Sequence, residues 1–427
     1  MPSASSRVPT RVEVLIVGAG PSGAAAAIEL QRSGTAVTLV DKAVFPRDKC
    51  CGDGLTTGAL RRLEHLGLDV AQVPSWQWVD DVHISSPKGY TVNFALPRGD
   101  GRFSAIATRN DLDHALLRVA EKAGARVVTG AAVTSASQHS DAVRVAIDGV
   151  GVVAAERVIA ADGMWSPLRK MLGTSSARSE REPYLGEWHA YRQYFNNVHT
   201  VDSRDIWVWF EKDLLPGYAW SFPLADGGLN VGFGVERADG IKTNTMKALW
   251  ASLLERPHIR AVIGADAQAV DSPKAWPIPA AITHAPLSDG RVLFVGDAAR
   301  ACDILTGEGI GQALQTGMMA AAAMLASPHD PRAAALRYEN DVRTHLGPDH
   351  RMAVTLQRMM RSSAVCRSTL RVCGATDWTR RNFARWLFED YARGIALTPT
   401  RWRWGLMSGP GAYGPDTADT PMPTIGR

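Results

Sequence analysis

Residues 12–23 read Val12-Glu13-Val14-Leu15-Ile16-Val17-Gly18-Ala19-Gly20-Pro21-Ser22-Gly23, and the fold turns on them. The first six are β-branched or apolar apart from Glu13, the composition of a strand buried in a parallel sheet. Gly18, Gly20 and Gly23 then supply G-x-G-x-x-G where that strand should turn into a helix. Gly18 permits the tight turn, Gly20 lets backbone amides approach a pyrophosphate, and Gly23 lets the helix pack closely on the strand. Pro21 and Ser22 belong to the same turn, whose free N–H groups and positive dipole end would face the phosphates. A glycine triplet alone recurs by chance, but here the context is right. An Ala-rich helical segment follows (24–31), then a second strand over 36–40 ending in Asp41, with Lys42 after it. Asp41 lies roughly 20 residues past the glycines, where a ribose hydroxyl needs an acceptor. The stretch predicts a βαβ unit that holds a dinucleotide.

The rest of the chain bounds what else is present. Its 427 residues suggest two interleaved domains, and 45% apolar residues are ordinary for a globular protein. A net charge of +4 without a Lys/Arg run argues against nucleic acid. No stretch approaches the ~20 apolar residues of a membrane span, and the N-terminus lacks the apolar core of a signal peptide. Five cysteines (50, 51, 302, 366 and 373) make no disulfide framework and agree with a reducing compartment. No zinc spacing is present, so no metal is expected, and the chain is expected in the cytoplasm.

Residues 42–55, KAVFPRDKCCGDGL, have too many Pro and Gly for a helix and too many charges for a core strand. They predict an ordered functional loop. Arg47 and Lys49 beside Cys50 and Cys51 should lower a thiol pKa, and Gly52 and Gly54 would let the backbone lie against a flat ligand. Helical spacing follows over 57–66. Short strands at 79–85 and 90–94 depart from βαβ order and predict an excursion into a second, antiparallel region. Residues 109–111 then cap a helix over 112–123, followed by strands at 126–128 and 143–147. A strand entering Asp162-Gly163 comes next, and much later the strand at 291–295 ends in Gly296-Asp297. Asp297 would stand at a strand's carboxyl end, where ligands sit in open α/β sheets. The amides of Gly307, Gly309 and Ile310, opening an Ala-rich helix, could meet the edge of a flavin ring.

On these motifs the chain resembles FAD-dependent oxidoreductases of the geranylgeranyl reductase family, within the p-hydroxybenzoate-hydroxylase-like flavoprotein fold. The match covers residues 12–325. Its specific parts are F-P-R-x-K-x-C-G-D-G-L (45–55), Gly296-Asp297, L-T-G-E-G-I (305–310) and Tyr218-Ala219-Trp220-Ser221-Phe222-Pro223, which fits the family's Y-x-W-x-F-P. The resemblance implies FAD contacts at Gly18, Gly20, Gly23, Asp41, Arg109 and Asp297. With the residues around them, the expected cofactor set adds Pro21, Ser22, Lys42, Lys49, Cys50, Gly52, Asp162, Gly296, Gly307, Gly309 and Ile310. Cys51 matches the family cysteine near the flavin and is the candidate catalytic acid. Tyr218, Trp220, Phe222 and Pro223 are the expected substrate-binding residues. The chain departs from the family at Asp303-Ile304, where N-P is usual, and at Arg300, where a small residue is usual. Both would add charge near the ring.

The expected fold is therefore α/β. A discontinuous Rossmann-type FAD-binding domain (8–70, 108–175 and 286–330) interleaves with an antiparallel-sheet substrate domain (71–107 and 176–285), rich in aromatic and β-branched strands. Within that sheet Trp207 and Trp209 are read as core filling. A helical region (331–406) and a disordered tail (407–427) complete the chain. Residues 351–403 hold eleven Arg against Asp377, Glu389 and Asp390, with interleaved aromatics. That pattern suits either a membrane-surface contact or a helical cap with solvated arginines.

The resemblance implies reduction of isoprenoid carbon–carbon double bonds, in geranylgeranyl or polyprenyl lipids or prenylquinones. Hydride would come from reduced FAD and the proton from Cys51. With one glycine fingerprint only, electrons must come by transient NAD(P)H docking, or from ferredoxin or a flavin reductase. The alternative is a monooxygenase working on an aromatic or terpenoid product through a flavin hydroperoxide. A halogenase would need W-x-W-x-I-P, and residues 218–223 end in Phe-Pro. A non-catalytic prenyl-binding escort is opposed by the intact glycine turn, Asp41 and Gly296-Asp297.

Overall fold

The computed structural model describes residues 8–174, 184–198, 204–237, 243–388, 394, 398–399, 402 and 409–414. Strand Arg11–Val17 is the centre of the first sheet. It pairs in parallel with Val37–Val40 on one side and Gly151–Ala160 on the other. Arg126–Val128 and Val292–Phe294 extend the two edges, also in parallel. Val14, Leu15 and Ile16 are fully buried, so the strand shows no alternation because both faces are covered. Helix Pro21–Arg32 packs on helix Ile310–Ala326. A Cβ on Gly317 would lie 2.1 Å from the Ser22 carbonyl oxygen, so the helices meet backbone to backbone beside the glycine turn.

Two local expectations are corrected here. The helix placed at 112–123 runs Arg109–Lys122 from an extended Thr108, which puts Arg109 in the first turn instead of before it. Strand Val133–Gln138 carries no strand signal in its sequence, because Val-Thr-Ser-Ala-Ser-Gln is largely polar. It joins the sheet through Val143–Ile147, antiparallel to Gly151–Ala160.

The second sheet runs in the order Gln268–Ala269, Trp188–Asn196, Leu229–Glu236, Tyr218–Pro223, Ile206–Trp209, Asp81–Ser85, Thr91–Ala95. It is not wholly antiparallel: Ile206–Trp209 runs parallel to Asp81–Ser85, because the two strands come from separate excursions out of the first sheet. Side chains alternate across it. Trp209, 1% exposed, packs with Phe233 and Trp250 under helices Thr243–Leu254 and Pro257–Ile263, while Trp207 stacks on His83 at 4.1 Å. Both tryptophans fill the core on the sheet's back, as read from the sequence. Ile206, Val208 and Phe210 take the front.

Helices Pro331–His345, Gly347–Met360, Ser363–Cys373 and Asp377–Phe388 follow. The last lies over Thr91–Ala95, with Phe383 at 4.9 Å from Phe94. Among the described residues no helix is long and apolar enough to cross a membrane. The tail expected to be disordered lies mostly outside the described residues, but residues 409–414 do not fit that expectation. Ala412 pairs with Arg102 in an antiparallel bridge, and Tyr413, 3% exposed, sits against Trp76 and Trp78. An aromatic anchor and three backbone hydrogen bonds to residues 100–102 hold the segment down, which the Gly- and Pro-rich composition does not reveal.

Candidate active site

A single cavity of about 1070 Å³ runs from the glycine turn to the front of the second sheet and on to the C-terminal helices. That is at the top of the roughly 300–1,000 Å³ usual for small-ligand sites. It has a polar end built on the parallel sheet and an apolar end built on the second.

At the polar end Asp41 is fixed by its own chain: the Ala19 and Ala43 amides donate to its carboxylate at 2.7 and 2.8 Å. Gly18 has φ +103°, and a Cβ there would strike the Ala161 carbonyl at 2.1 Å. Gly20 is different. Its backbone is extended, and a Cβ would meet only the guanidinium tips of Arg47 (3.6 Å) and Arg109 (3.9 Å). Those two arginines share Asp113, which is fully buried: Arg109 binds it bidentately at 2.7 Å and Arg47 reaches it at 2.9 Å. Two cations on one anion leave net positive charge beside the helix N-terminus, a setting that could hold an anion.

Further along, Lys49 Nζ lies 2.8 Å from Asp297. Burial pushes the Asp297 carboxyl up, but Lys49 and Arg109 outweigh it and hold the group below the usual carboxylate range. Asp162 accepts from the Leu168 amide at 2.9 Å through one oxygen, and burial raises its pKa. Gly307, Gly309 and Ile310 bring helix Ile310–Ala326 to the cavity, where Tyr218 donates to the Thr306 carbonyl and ties this loop to the second sheet.

Of the residues singled out from sequence, Gly18, Gly20, Pro21, Ser22, Asp41, Lys42, Lys49, Cys50, Cys51, Gly52, Arg109, Asp162, Asp297, Gly307, Gly309, Ile310, Tyr218, Trp220 and Phe222 line this cavity. Gly23, Gly296 and Pro223 do not. A Cβ on Gly23 would sit 1.9 Å from the Gly18 carbonyl, so its part is packing. Gly296 packs against Ser22 and donates to Thr316 at 2.9 Å. Pro223 falls on the opposite face of its strand from Tyr218, Trp220 and Phe222, because the side-chain period is two. Arg300 also misses the cavity wall; its guanidinium lies 3.6 Å over the Tyr184 ring. Asp303 lines the cavity, but one carboxylate oxygen accepts from the Leu305 and Thr306 amides at 3.0 and 2.8 Å, shaping the turn.

The thiols correct another expectation. Burial pushes Cys50 up to about 12 and raises Cys51 as well, against the pull of nearby cations. Arg47 and Lys49 do not activate them, since each is engaged elsewhere, on Asp113 and Asp297. Both thiols stay protonated at neutral pH. All five cysteines are free.

Sequence reasoning missed several wall residues. Arg47 is one, although it stands within the quoted 45–55 motif. Asp53, Val82, Ile84 and the Phe383, Trp386 and Leu387 face of the last helix are others. That last set has i, i+3, i+4 spacing, a signal that was there to be read.

FAD fits these residues on observations within the cavity. Gly20 leaves open the approach to the amides, and Arg47 Nη1 and Asp162 Oδ1 are buried without a partner among the described residues. The fold and site define an FAD-dependent oxidoreductase. Residues 11–341 match the FAD binding domain family. The menaquinone reductase of Mycobacterium tuberculosis is 35% identical over 335 residues, 72% of this chain and 75% of that protein. The digeranylgeranylglycerophospholipid reductase of Methanoculleus marisnigri is 28% identical over 319 residues, 72% and 75% of the two chains. A solved geranylgeranyl bacteriochlorophyll reductase-like protein from Thermoplasma acidophilum shares the fold with a TM-score of 0.74 at 20% identity, covering 91% of this chain and 99% of that one. The chain belongs to the geranylgeranyl reductase family of FAD-dependent oxidoreductases.

Proposed function

We propose that the protein reduces carbon–carbon double bonds in the isoprenoid chain of a prenylquinone or polyprenyl lipid. One observation carries the reading: the polar cleft continues without a wall into an apolar chamber. Val82, Ile84, Val208, Trp220 and Phe222 form one side of that chamber, and Leu370, Phe383 and Leu387 the other. An elongated apolar tail needs such a slot, and the names of the relatives agree with it.

FAD, when bound and reduced, supplies hydride. The chain's own residues do the rest. The Gly20 amide and the N-terminus of helix Pro21–Arg32, with Arg47 and Arg109, would hold the diphosphate, and Asp297 would accept from the sugar-chain hydroxyls. Tyr218 fixes the 303–309 loop, and the aromatic face positions the alkene and excludes water. An unactivated alkene has no carbonyl to stabilise an anion, so a proton must be delivered from the wall as the hydride arrives. The acids there are Cys51 and Asp53, both raised by burial.

Division of the chain into cofactor and substrate parts along the two sheets belongs to the same proposal, as does supply of electrons by NAD(P)H, ferredoxin or a flavin reductase. So does docking on an anionic membrane surface: Met359, Val372 and Trp378 are exposed beside Arg358, Arg361, Arg371 and Arg381 on helices that wall the chamber. The test is anaerobic incubation of the dithionite-reduced, FAD-loaded protein with a geranylgeranyl lipid and a prenylated menaquinone. Reduction adds two hydrogens per double bond without oxygen. A product that gains an oxygen atom, formed only in air, replaces this reading with the monooxygenase.

A further inference from the structure

We infer that Asp53, held by Tyr194 and Asn230 where the cofactor cleft opens into the apolar chamber, is the group that protonates the substrate carbon. This assignment rests on the reductase reading above.

Asp53 is fully buried, lines the cavity, and has φ +66° between two glycines. A left-handed backbone at a non-glycine residue is uncommon, and Asp is among the few residues that tolerate it. The conformation is fixed from outside. The Ala107 amide donates to the Asp53 carbonyl at 3.0 Å. Tyr194 and Asn230 donate to the same carboxyl oxygen, Oδ2, at 2.6 and 2.8 Å. Asn230 also donates to the Cys51 carbonyl at 2.9 Å and accepts from the Trp220 indole at 3.2 Å, so the carboxyl is braced against the aromatic face itself. Oδ1 is buried and has no partner among the described residues.

This asymmetry decides where a proton goes. Two donors occupy Oδ2, so the proton of the neutral acid sits on Oδ1, where nothing competes for it. Burial pushes the carboxyl up to about 6, against Tyr194, Arg192, Asn230 and Arg109, which favour the anion. The charged and titratable groups facing it are Tyr194 and Arg192 from strand Trp188–Asn196, Arg109 from its helix, and Cys50 and Cys51 from its own loop. Cys51, its thiol pushed up by burial, is the weaker acid. In the step, one alkene carbon takes hydride from the reduced cofactor and the other takes the Oδ1 proton. The π bond breaks and two C–H bonds form. Asp53 is left as a carboxylate, which Tyr194, Asn230 and the two arginines stabilise until solvent returns the proton.

The variants are Asp53→Asn, which keeps the backbone preference and the shape, Cys51→Ser and Tyr194→Phe. Infrared spectra of the FAD-loaded, substrate-free protein should show a neutral carboxyl band that titrates near pH 6 and is missing in Asp53→Asn. Retained flavin absorbance shows that the variant is folded. Anaerobic reduction should slow by about a hundredfold or more in Asp53→Asn, and by less in Cys51→Ser. Tyr194→Phe removes a bond that favours the anion, so it should move the alkaline limb of the rate profile to higher pH. A carboxyl that titrates near 4, or an Asp53→Asn enzyme as fast as wild type, overturns the assignment alone. A wild-type enzyme that reduces neither lipid overturns the reductase reading, and the donor role with it.

Discussion

Replacing Gly20 by Ala should separate cofactor binding from folding. A Cβ at Gly20 meets nothing nearer than 3.6 Å, and φ −72° suits any residue. Cofactor-free stability should then stay within about 0.5 kcal/mol of wild type. The methyl would, however, occupy the approach to the turn amides. If affinity falls only tenfold, about 1.4 kcal/mol, FAD at a hundred times the wild-type Kd stabilises wild type by about 2.7 kcal/mol and the variant by about 1.4. Gly18→Ala gives the opposite pattern. Its Cβ would lie 2.1 Å from the Ala161 oxygen at φ +103°, so the cofactor-free fold itself should lose about 2–4 kcal/mol. The assay is urea unfolding of stripped protein, with and without FAD. Equal loss of cofactor-free stability in both variants, or wild-type stabilisation of Gly20→Ala by FAD, refutes the division of labour.

Three further outcomes follow from the same geometry. Lys49→Met leaves the half-buried Asp297 carboxylate without its ion pair; stability at neutral pH should fall by about 1 kcal/mol, and FAD should bind more weakly in fluorescence titration. Asp53 has a folded pKa of about 6 against 3.8 unfolded. Its contribution is therefore fully present below about pH 4 and lost as pH rises through 6. The stability of wild type minus that of Asp53→Asn should accordingly drop by up to about 3 kcal/mol across that window, and a flat difference would contradict a neutral buried acid. Phe222→Ala, which opens the chamber beside Gly52 and Gly54, should raise KM for a geranylgeranyl lipid roughly ten- to a hundredfold, the worth of one buried aromatic, without lowering the FAD affinity.

What could be read in the sequence was what is local. The strand, the glycine turn and Asp41 form one continuous segment, and Trp207 and Trp209, read as core filling, do pack in the core on the back of their sheet. The two-residue period of a strand puts Pro223 on that back face as well, whereas its motif puts it among the pocket residues. The thiol acidity is not legible in the loop, because the charges that are neighbours in sequence are engaged elsewhere in space. Arg47 spends its charge on Asp113, 66 positions away, and Lys49 on Asp297, 248 positions away. Asp53 escaped notice for the converse reason: its donors Tyr194 and Asn230 lie 141 and 177 residues on, contributed by two strands of the other sheet. Burial and long-range pairing set its chemistry, and neither leaves a mark on the loop itself.

The central claim is that a flavin in the polar cleft faces an isoprenoid chain in the apolar chamber. A single anaerobic turnover of the dithionite-reduced, FAD-loaded protein with a geranylgeranyl lipid in deuterated water, read by mass spectrometry, tests it most directly. The account predicts a product with one double bond fewer and solvent deuterium on one of the two carbons. Unchanged lipid with the flavin still reduced, or a product formed only when oxygen is admitted, would contradict it.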